Sequence, residues 1–156
     1  MKELGFWHPA TLIATWFGVG LIPLAPGTWG SLAALPFAWA IERSFGAPAL
    51  LAAGVGVFLI GVWATDLFAK RSGMADPPQA CVDEVAAMWL VLASLPQTLL
   101  GYALGFCAFR AADILKPWPV SLVDRQVTGG LGIMLDDAVA ALYAIGAARL
   151  VLWIMK

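Results

Sequence analysis

The chain has 156 residues, 62% hydrophobic and 12% charged, with a mean hydropathy of +0.86 and a formal net charge of −1. A length of this order makes one domain, residues 1–156, and so apolar a chain would leave too much bare surface as a water-soluble bundle, so a membrane protein is expected. The charge balance gives no basic field and argues against nucleic acid as a partner.

Eight Trp and eight Phe suit a protein that meets the bilayer interface. The N-terminus does not read as a cleaved signal: Lys2 is followed by Glu3, His8 and Pro9, with no small-residue cleavage site after a compact apolar core. Thr11 to Ile22 is apolar and ends in Pro23-Leu24-Ala25-Pro26-Gly27. Ser31 to Ile41 resumes the apolar pattern, interrupted by Pro36, and Glu42, Arg43, Gly46 and Pro48 mark a turn. Ala49 to Thr65 is uncharged and closed by Asp66, and Lys70 to Pro78 reads as a polar loop. Val85 to Phe109 carries no charge but is divided by Pro96-Gln97. Arg110 to Asp137 is the longest polar stretch, and Ala138 to Met155 is apolar except for Arg149.

Ala and Leu outnumber β-branched residues, which favours helices over barrel strands. A spanning helix needs about 20 apolar residues. Ala49–Thr65 approaches that and Val85–Phe109 exceeds it, while the other pieces must tilt, lie in the interface or enter and return. The expected fold is an all-α, membrane-embedded bundle with short or re-entrant helical hairpins and polar loops converging on one face. If Ser31–Ile41 pairs with Ala49–Thr65, and Val85–Leu95 with Thr98–Phe109, the loops at 23–31, 66–84 and 110–137 share one side. That side carries Lys70, Arg71, Arg110, Lys116 and Arg125 against Lys2, Arg43 and Lys156 on the other, a bias that places it in the cytoplasm. If instead Val85–Phe109 is one kinked span, the acidic loops fall on opposite faces and share no site.

Charge is bunched where it occurs. Asp83-Glu84, Asp113 and Asp136-Asp137 stand at the edges of apolar runs. Each pair could simply favour a helix N-terminus, and Asp113, midway between Arg110 and Lys116, could form ordinary ion pairs on one helix face. Taken jointly, five carboxylates in a chain this poor in charge fit a magnesium site, with one or two direct carboxylates, waters and a substrate phosphate. Pro26-Gly27-Thr28-Trp29-Gly30-Ser31 leads into a helix and could offer backbone N–H groups and the Thr28 and Ser31 hydroxyls to that phosphate, or be a loop ending in a Ser cap. Gly129-Gly130-Leu131-Gly132 could serve likewise or be a flexible turn. Arg110, Lys116 and Arg125 could neutralise phosphate oxygens.

Absences narrow the chemistry. The only histidine, His8, is remote from every acidic pair, neither Cys81 nor Cys107 has an Arg six residues later, and no Asp-x-Asp pair occurs. Both cysteines read as apolar fillers. Metal-assisted attack remains, with a carboxylate either activating water or acting as nucleophile.

Four ordered blocks resemble the phosphatidylglycerophosphatase A family. They are Gly20-Leu21-Ile22-Pro23 through Pro26–Ser31; Asp76-Pro77 with Val82-Asp83-Glu84; Arg110-Ala111-Ala112-Asp113-Ile114-Leu115-Lys116-Pro117-Trp118-Pro119; and Gly129 to Asp137. The resemblance covers roughly residues 15 to 142. It implies a largely helical, magnesium-dependent phosphatase of the bacterial inner membrane that is multi-pass, faces the cytoplasm with its active site, and converts phosphatidylglycerophosphate to phosphatidylglycerol and inorganic phosphate. Carried over by position, it makes Asp83, Glu84, Asp113, Asp136 and Asp137 the metal and catalytic acids, adds Lys116 to the catalytic set, and makes Arg110, Lys116, Thr28 and Ser31 the phosphate partners. Two positions depart from the family's habit of glycine, Ala87 and Ala141, which puts close helix approach there in question. The rival reading is a small membrane transporter whose acids coordinate a cation, and that reading predicts acids at mid-membrane on facing helices.

Overall fold

In a computed structural model, which describes residues 4–155, every regular element is helical and no strand occurs among the described residues. Lys2, Glu3 and Lys156, which entered the leader and charge-bias arguments, lie outside the described residues.

Helix α1 (Pro9–Ala14) is capped by His8, whose Nδ1 accepts the Ala10 N–H at 3.2 Å. The apolar run to Ile22 does not continue it. Trp16 and Phe17 take left-handed conformations (φ 45° and 57°), and the Thr15 hydroxyl accepts the Gly18 N–H at 3.1 Å, so the chain turns into a short 3-10 segment at Val19–Leu21. Helix α2 (Pro26–Phe45) then starts at a proline, whose missing N–H would go unpaired in a first turn anyway. Gly27 to Ser31 are therefore helical, not a loop ending in a Ser cap. Gly46 (φ 83°) closes α2 by donating to Glu42 O at 2.8 Å, and α3 (Ala47–Ser72) follows at once. Gly73 (φ 74°) ends α3, with Lys70 and Arg71 in the last turn where the helix dipole favours cations.

The centre of the bundle is α4 (Val82–Leu92). Eight of its 11 residues are buried, as expected of a helix apolar on every side. It packs against α2, α3, α5 and α7, and the Trp89 indole N–H donates to Ala34 O at 3.0 Å. At ~1.5 Å per residue α4 is far too short to span a bilayer. After a turn through Pro96, α5 (Leu99–Leu115) begins, its Thr98 cap accepting the Gly101 N–H at 3.0 Å. Gly105 lies beside Val91, Leu92 and Leu95, and Arg110 beside Glu84, so α5 returns antiparallel to α4. The hairpin reading of Val85–Phe109 is the one observed.

The polar stretch 110–137 is not a loop. It contains the end of α5, then α6 (Val120–Gln126), then the start of α7 (Gly129–Ile154), so Asp136 and Asp137 lie two turns inside a helix rather than ahead of one. Gly129–Gly132 form the first turn of α7. A Cβ on Gly130 would collide with the Val62 carbonyl, so this glycine is what lets α7 lie against α3. Ala87 and Ala141 are each 1% exposed and fill the core without disturbing the helices around them. Cys81 is buried, but Cys107 is on the surface and fills nothing.

The two ends of the bundle differ. At one end Gln97 Nε2 donates to Trp39 O (2.8 Å), the Tyr102 hydroxyl to Glu42 Oε2 (2.8 Å) and Arg149 Nε to Ser94 O (3.0 Å). At the other, the start of α2, the start of α4, the end of α5 and the first third of α7 meet around the acids. Helices α3 and α7, of 26 residues each, are long and apolar enough to cross a membrane.

Candidate active site

The acid-rich end encloses a cleft of about 280 Å³. Its walls are Ala25–Gly27 of the α2 start, Asp76–Pro78, Asp83 and Glu84 of α4, Arg110, Asp113 and Lys116 of α5, and Asp136 and Asp137 of α7. The three separated groups of acids that stood out in the sequence thus share one site. Antiparallel pairing produces this: α4 and α7 run away from the cleft, while α5 runs back into it.

Within the cleft the acids divide by partner. Asp83, Glu84 and Asp137 each offer an oxygen within 4.8 Å of the other two. Asp83 Oδ1, Glu84 Oε2 and Asp137 Oδ2 are buried and lack any hydrogen-bond partner. Buried acceptors are almost always satisfied, and three carboxylates this close together, each with an unpartnered oxygen, fit the hard, oxygen-seeking chemistry of a divalent cation. Asp113 is taken up differently, with its Oδ2 2.7 Å from Arg110 Nη1, which also lies 3.9 Å from Glu84 Oε1. Asp136 Oδ2 is 3.0 Å from Lys116 Nζ, and its Oδ1 accepts the Asp137 N–H at 3.0 Å. Lys116 ends α5 in a left-handed conformation (φ 42°), a place usually held by glycine, and this turns its ammonium between Asp136 and Asp124.

Electrostatics point the same way. Six acids and two bases line the cleft, so an anion meets net repulsion unless positive charge is added. Burial, then the carboxylate beside it, pushes Asp83 well above the ordinary range. Burial, then the charge of Asp137, pushes Glu84 up to about 8, against the smaller pull of Arg110. Burial also raises Asp76. Burial alone would lower the Lys116 ammonium, but its bonds to Asp124 and Asp136 outweigh that and raise it.

The phosphate partners inferred from sequence fare unequally. Arg110 and Lys116 face the cleft; Thr28 and Ser31 do not line it. Thr28 is half-buried in the first turn of α2, and Ser31 is wholly buried. Gly27 is the residue of that block at the cleft wall. A Cβ there would collide with Glu84 Oε1, so the glycine allows the start of α2 to abut the acid. Gly129–Gly132 and Arg125 do not line the cleft either. Two acids were not picked out as site residues, Asp76 at the cleft wall and Asp124 on α6, 2.5 Å from Lys116 Nζ. Asp76 had a signal in the Asp76-Pro77 block; Asp124 had none, because nothing in its spacing ties it to Lys116.

The model of the family described as phosphatidylglycerophosphatase A matches residues 12–152. Phosphatidylglycerophosphatase A of Escherichia coli (strain K12) is 40% identical over 147 residues, covering 94% of this chain and 83% of that protein. The protein of the same name from Haemophilus influenzae (strain Rd) is 36% identical over 146 residues, covering 93% of this chain and 90% of its own. No solved structure matches the chain.

Proposed function

The chain belongs to the phosphatidylglycerophosphatase A family of phosphatases, and from that premise we propose that it hydrolyses the terminal phosphomonoester of phosphatidylglycerophosphate in a magnesium-dependent reaction at the cytoplasmic face of a bacterial inner membrane. The observation that carries the metal requirement is the trio of orphaned oxygens on Asp83, Glu84 and Asp137. Those three residues would hold the ion. When bound, Mg²⁺ supplies the positive charge that admits a phosphate and makes its phosphorus more electrophilic.

The chain's own groups do the rest. Arg110 and Lys116 take the non-bridging oxygens of the phosphate and stabilise the charge that builds on them. A carboxylate outside the trio, Asp113 or Asp136, orients a water and accepts its proton as the water oxygen bonds to phosphorus. The ester P–O bond breaks, the leaving glycerol oxygen takes up a proton, and phosphatidylglycerol and inorganic phosphate are released. The diacyl tails stay in the bilayer, which α3 and α7 are long and apolar enough to cross, while the headgroup reaches the cleft. The excess of Lys and Arg near the cleft end supports the cytoplasmic orientation. Acids gathered at one end, with two cations beside them, suit phosphate chemistry better than passage of a cation.

The test is phosphate release from phosphatidylglycerophosphate by purified protein in mixed micelles, with Mg²⁺ and with a chelator. Release that is Mg²⁺-dependent in the wild type and lost in Asp137→Asn is expected. Undiminished release in chelator rejects the metal reading.

A further inference from the structure

The helices that flank the cleft also flank a second feature. Between α2 and α5 an apolar groove of about 330 Å³ is lined by Leu35, Pro36 and Trp39 on one side and Leu99, Tyr102, Ala103 and Phe106 on the other. No charged side chain lines it. Tyr102 donates its hydroxyl to Glu42 (2.8 Å) and packs T-shaped with Trp39 (centroids 5.0 Å), so what it offers the groove is carbon. The groove exists because α2 packs chiefly on α4 and α3, and α5 on α7, while the two barely touch one another.

The groove lies farther along the same two helices whose ends, at Gly27 and Arg110, wall the cleft. At the cleft α2 and α5 come together, since a Cβ on Gly27 would stand 3.4 Å from Arg110 Nη1. On α5, Arg110, Phe106, Ala103 and Leu99 follow helical i, i+3/i+4 spacing and form one stripe. On α2, Leu35 and Trp39 are likewise four residues apart on one face. At ~1.5 Å of rise per residue, Phe106 to Leu99 lie about 6 to 16 Å beyond Arg110. That is the depth of one leaflet of a hydrocarbon core ~30 Å thick. A polar ligand would find no partner here, and a chain that begins at the cleft and runs a leaflet's depth along the helices is a fatty acyl chain.

We propose that this groove seats one acyl chain of the phospholipid whose phosphate occupies the cleft, and so sets the chain-length preference of the enzyme. The proposal rests on the reading of the cleft as a site for a lipid phosphomonoester.

The test compares dipalmitoyl and dihexanoyl phosphatidylglycerophosphate in mixed micelles with Mg²⁺. Ala103→Trp fills the groove from an exposed position; Phe106→Ala widens it; Leu142→Trp puts the same indole at an exposed position on α7, outside the groove. Expected are a fall of about 10-fold in kcat/KM of Ala103→Trp for the dipalmitoyl lipid and less than about 2-fold for the dihexanoyl one, with Leu142→Trp like wild type on both. Phe106→Ala should shift the preference toward longer chains. Equal losses on both lipids, no loss on either, or a changed oligomer size in Ala103→Trp overturns the groove assignment; the last would make it a contact between copies. A wild type that hydrolyses neither lipid overturns the reading of the cleft, and the groove with it.

Discussion

Gly27 and Glu84 touch through a side chain that is absent: a Cβ on Gly27 would occupy the place of Glu84 Oε1. The start of α2 is thereby the back wall against which one of the three clustered carboxylates is set. The atom displaced by an added methyl is the end of a flexible side chain, not backbone, so Gly27→Ala should fold and melt within a few degrees of wild type. It should move Glu84 off the point where Asp83 and Asp137 converge, raising the Mg²⁺ concentration needed for half-maximal phosphate release by about 10-fold or more. A magnesium titration of the purified variant checks this, and an unchanged midpoint would mean Glu84 is not a ligand.

Asp83 and Asp137 should show activity and stability moving in opposite directions. Burying carboxylates with no counter-charge is costly, and that cost is relieved when one becomes a neutral amide of the same shape. Asp83→Asn and Asp137→Asn should each lose about 100-fold or more of phosphate release. In chelator they should melt at or above the wild-type temperature. If both variants are less stable and still active, the trio is structural.

Much of this arrangement was legible in the residues, and for particular reasons. Gly46 and Pro96 mark turns because their backbone chemistry interrupts helices, so both hairpins could be read, and the meeting of Asp83, Asp113 and Asp137 follows from them. The span 110–137 reads as a loop by its charge density, yet most of it is helical. Arg110 and Asp113 are polar for the cleft, while Phe109 and Ala112 on the same helix are buried. A helix that serves a polar site inside an apolar protein carries a mixed pattern that resembles a loop. The start of α2 has its signal in Pro26, a good first helical residue, five positions ahead of Ser31, which is itself a good cap. The contact of Asp124 with Lys116 depends on how α6 folds back, and no local pattern reports that.

Lys116 should matter for the reaction more than for the fold. Its side chain is a third exposed (32%) and its ammonium bridges Asp136 and Asp124, contacts of the kind that contribute little to stability at such exposure. In the proposed reaction it neutralises the phosphate and so stabilises the transition state. Lys116→Ala should lower kcat/KM by about 100-fold, with melting close to wild type. Asp124→Asn, which leaves the Asp136 contact in place, should cost less than about 10-fold, because it only loosens the aim of the lysine. Steady-state kinetics of the two variants decide this; equal losses would make Asp124 as necessary as the lysine itself.

The pH dependence of stability should reverse between the chelated and the magnesium-loaded protein. Burial raises Glu84 from its ordinary 4.5 to about 8 in the folded chain, and Asp83 is raised as well. Between those two values the folded state holds more protons than the unfolded one, so stability declines as pH increases. Chelated protein should therefore melt lower at pH 8 than at pH 5, opposite to a protein whose carboxylates are salt-bridged. With saturating Mg²⁺ the ionised carboxylates are the ones that bind, so affinity and the accompanying stabilisation grow with pH. The stabilisation by Mg²⁺ should then be larger at pH 8 than at pH 5. Melting curves in detergent at both pH values, with chelator and with Mg²⁺, measure it. A chelated protein that is more stable at pH 8 would show that the cluster is already charge-compensated by Arg110 and Lys116 and does not call for a metal.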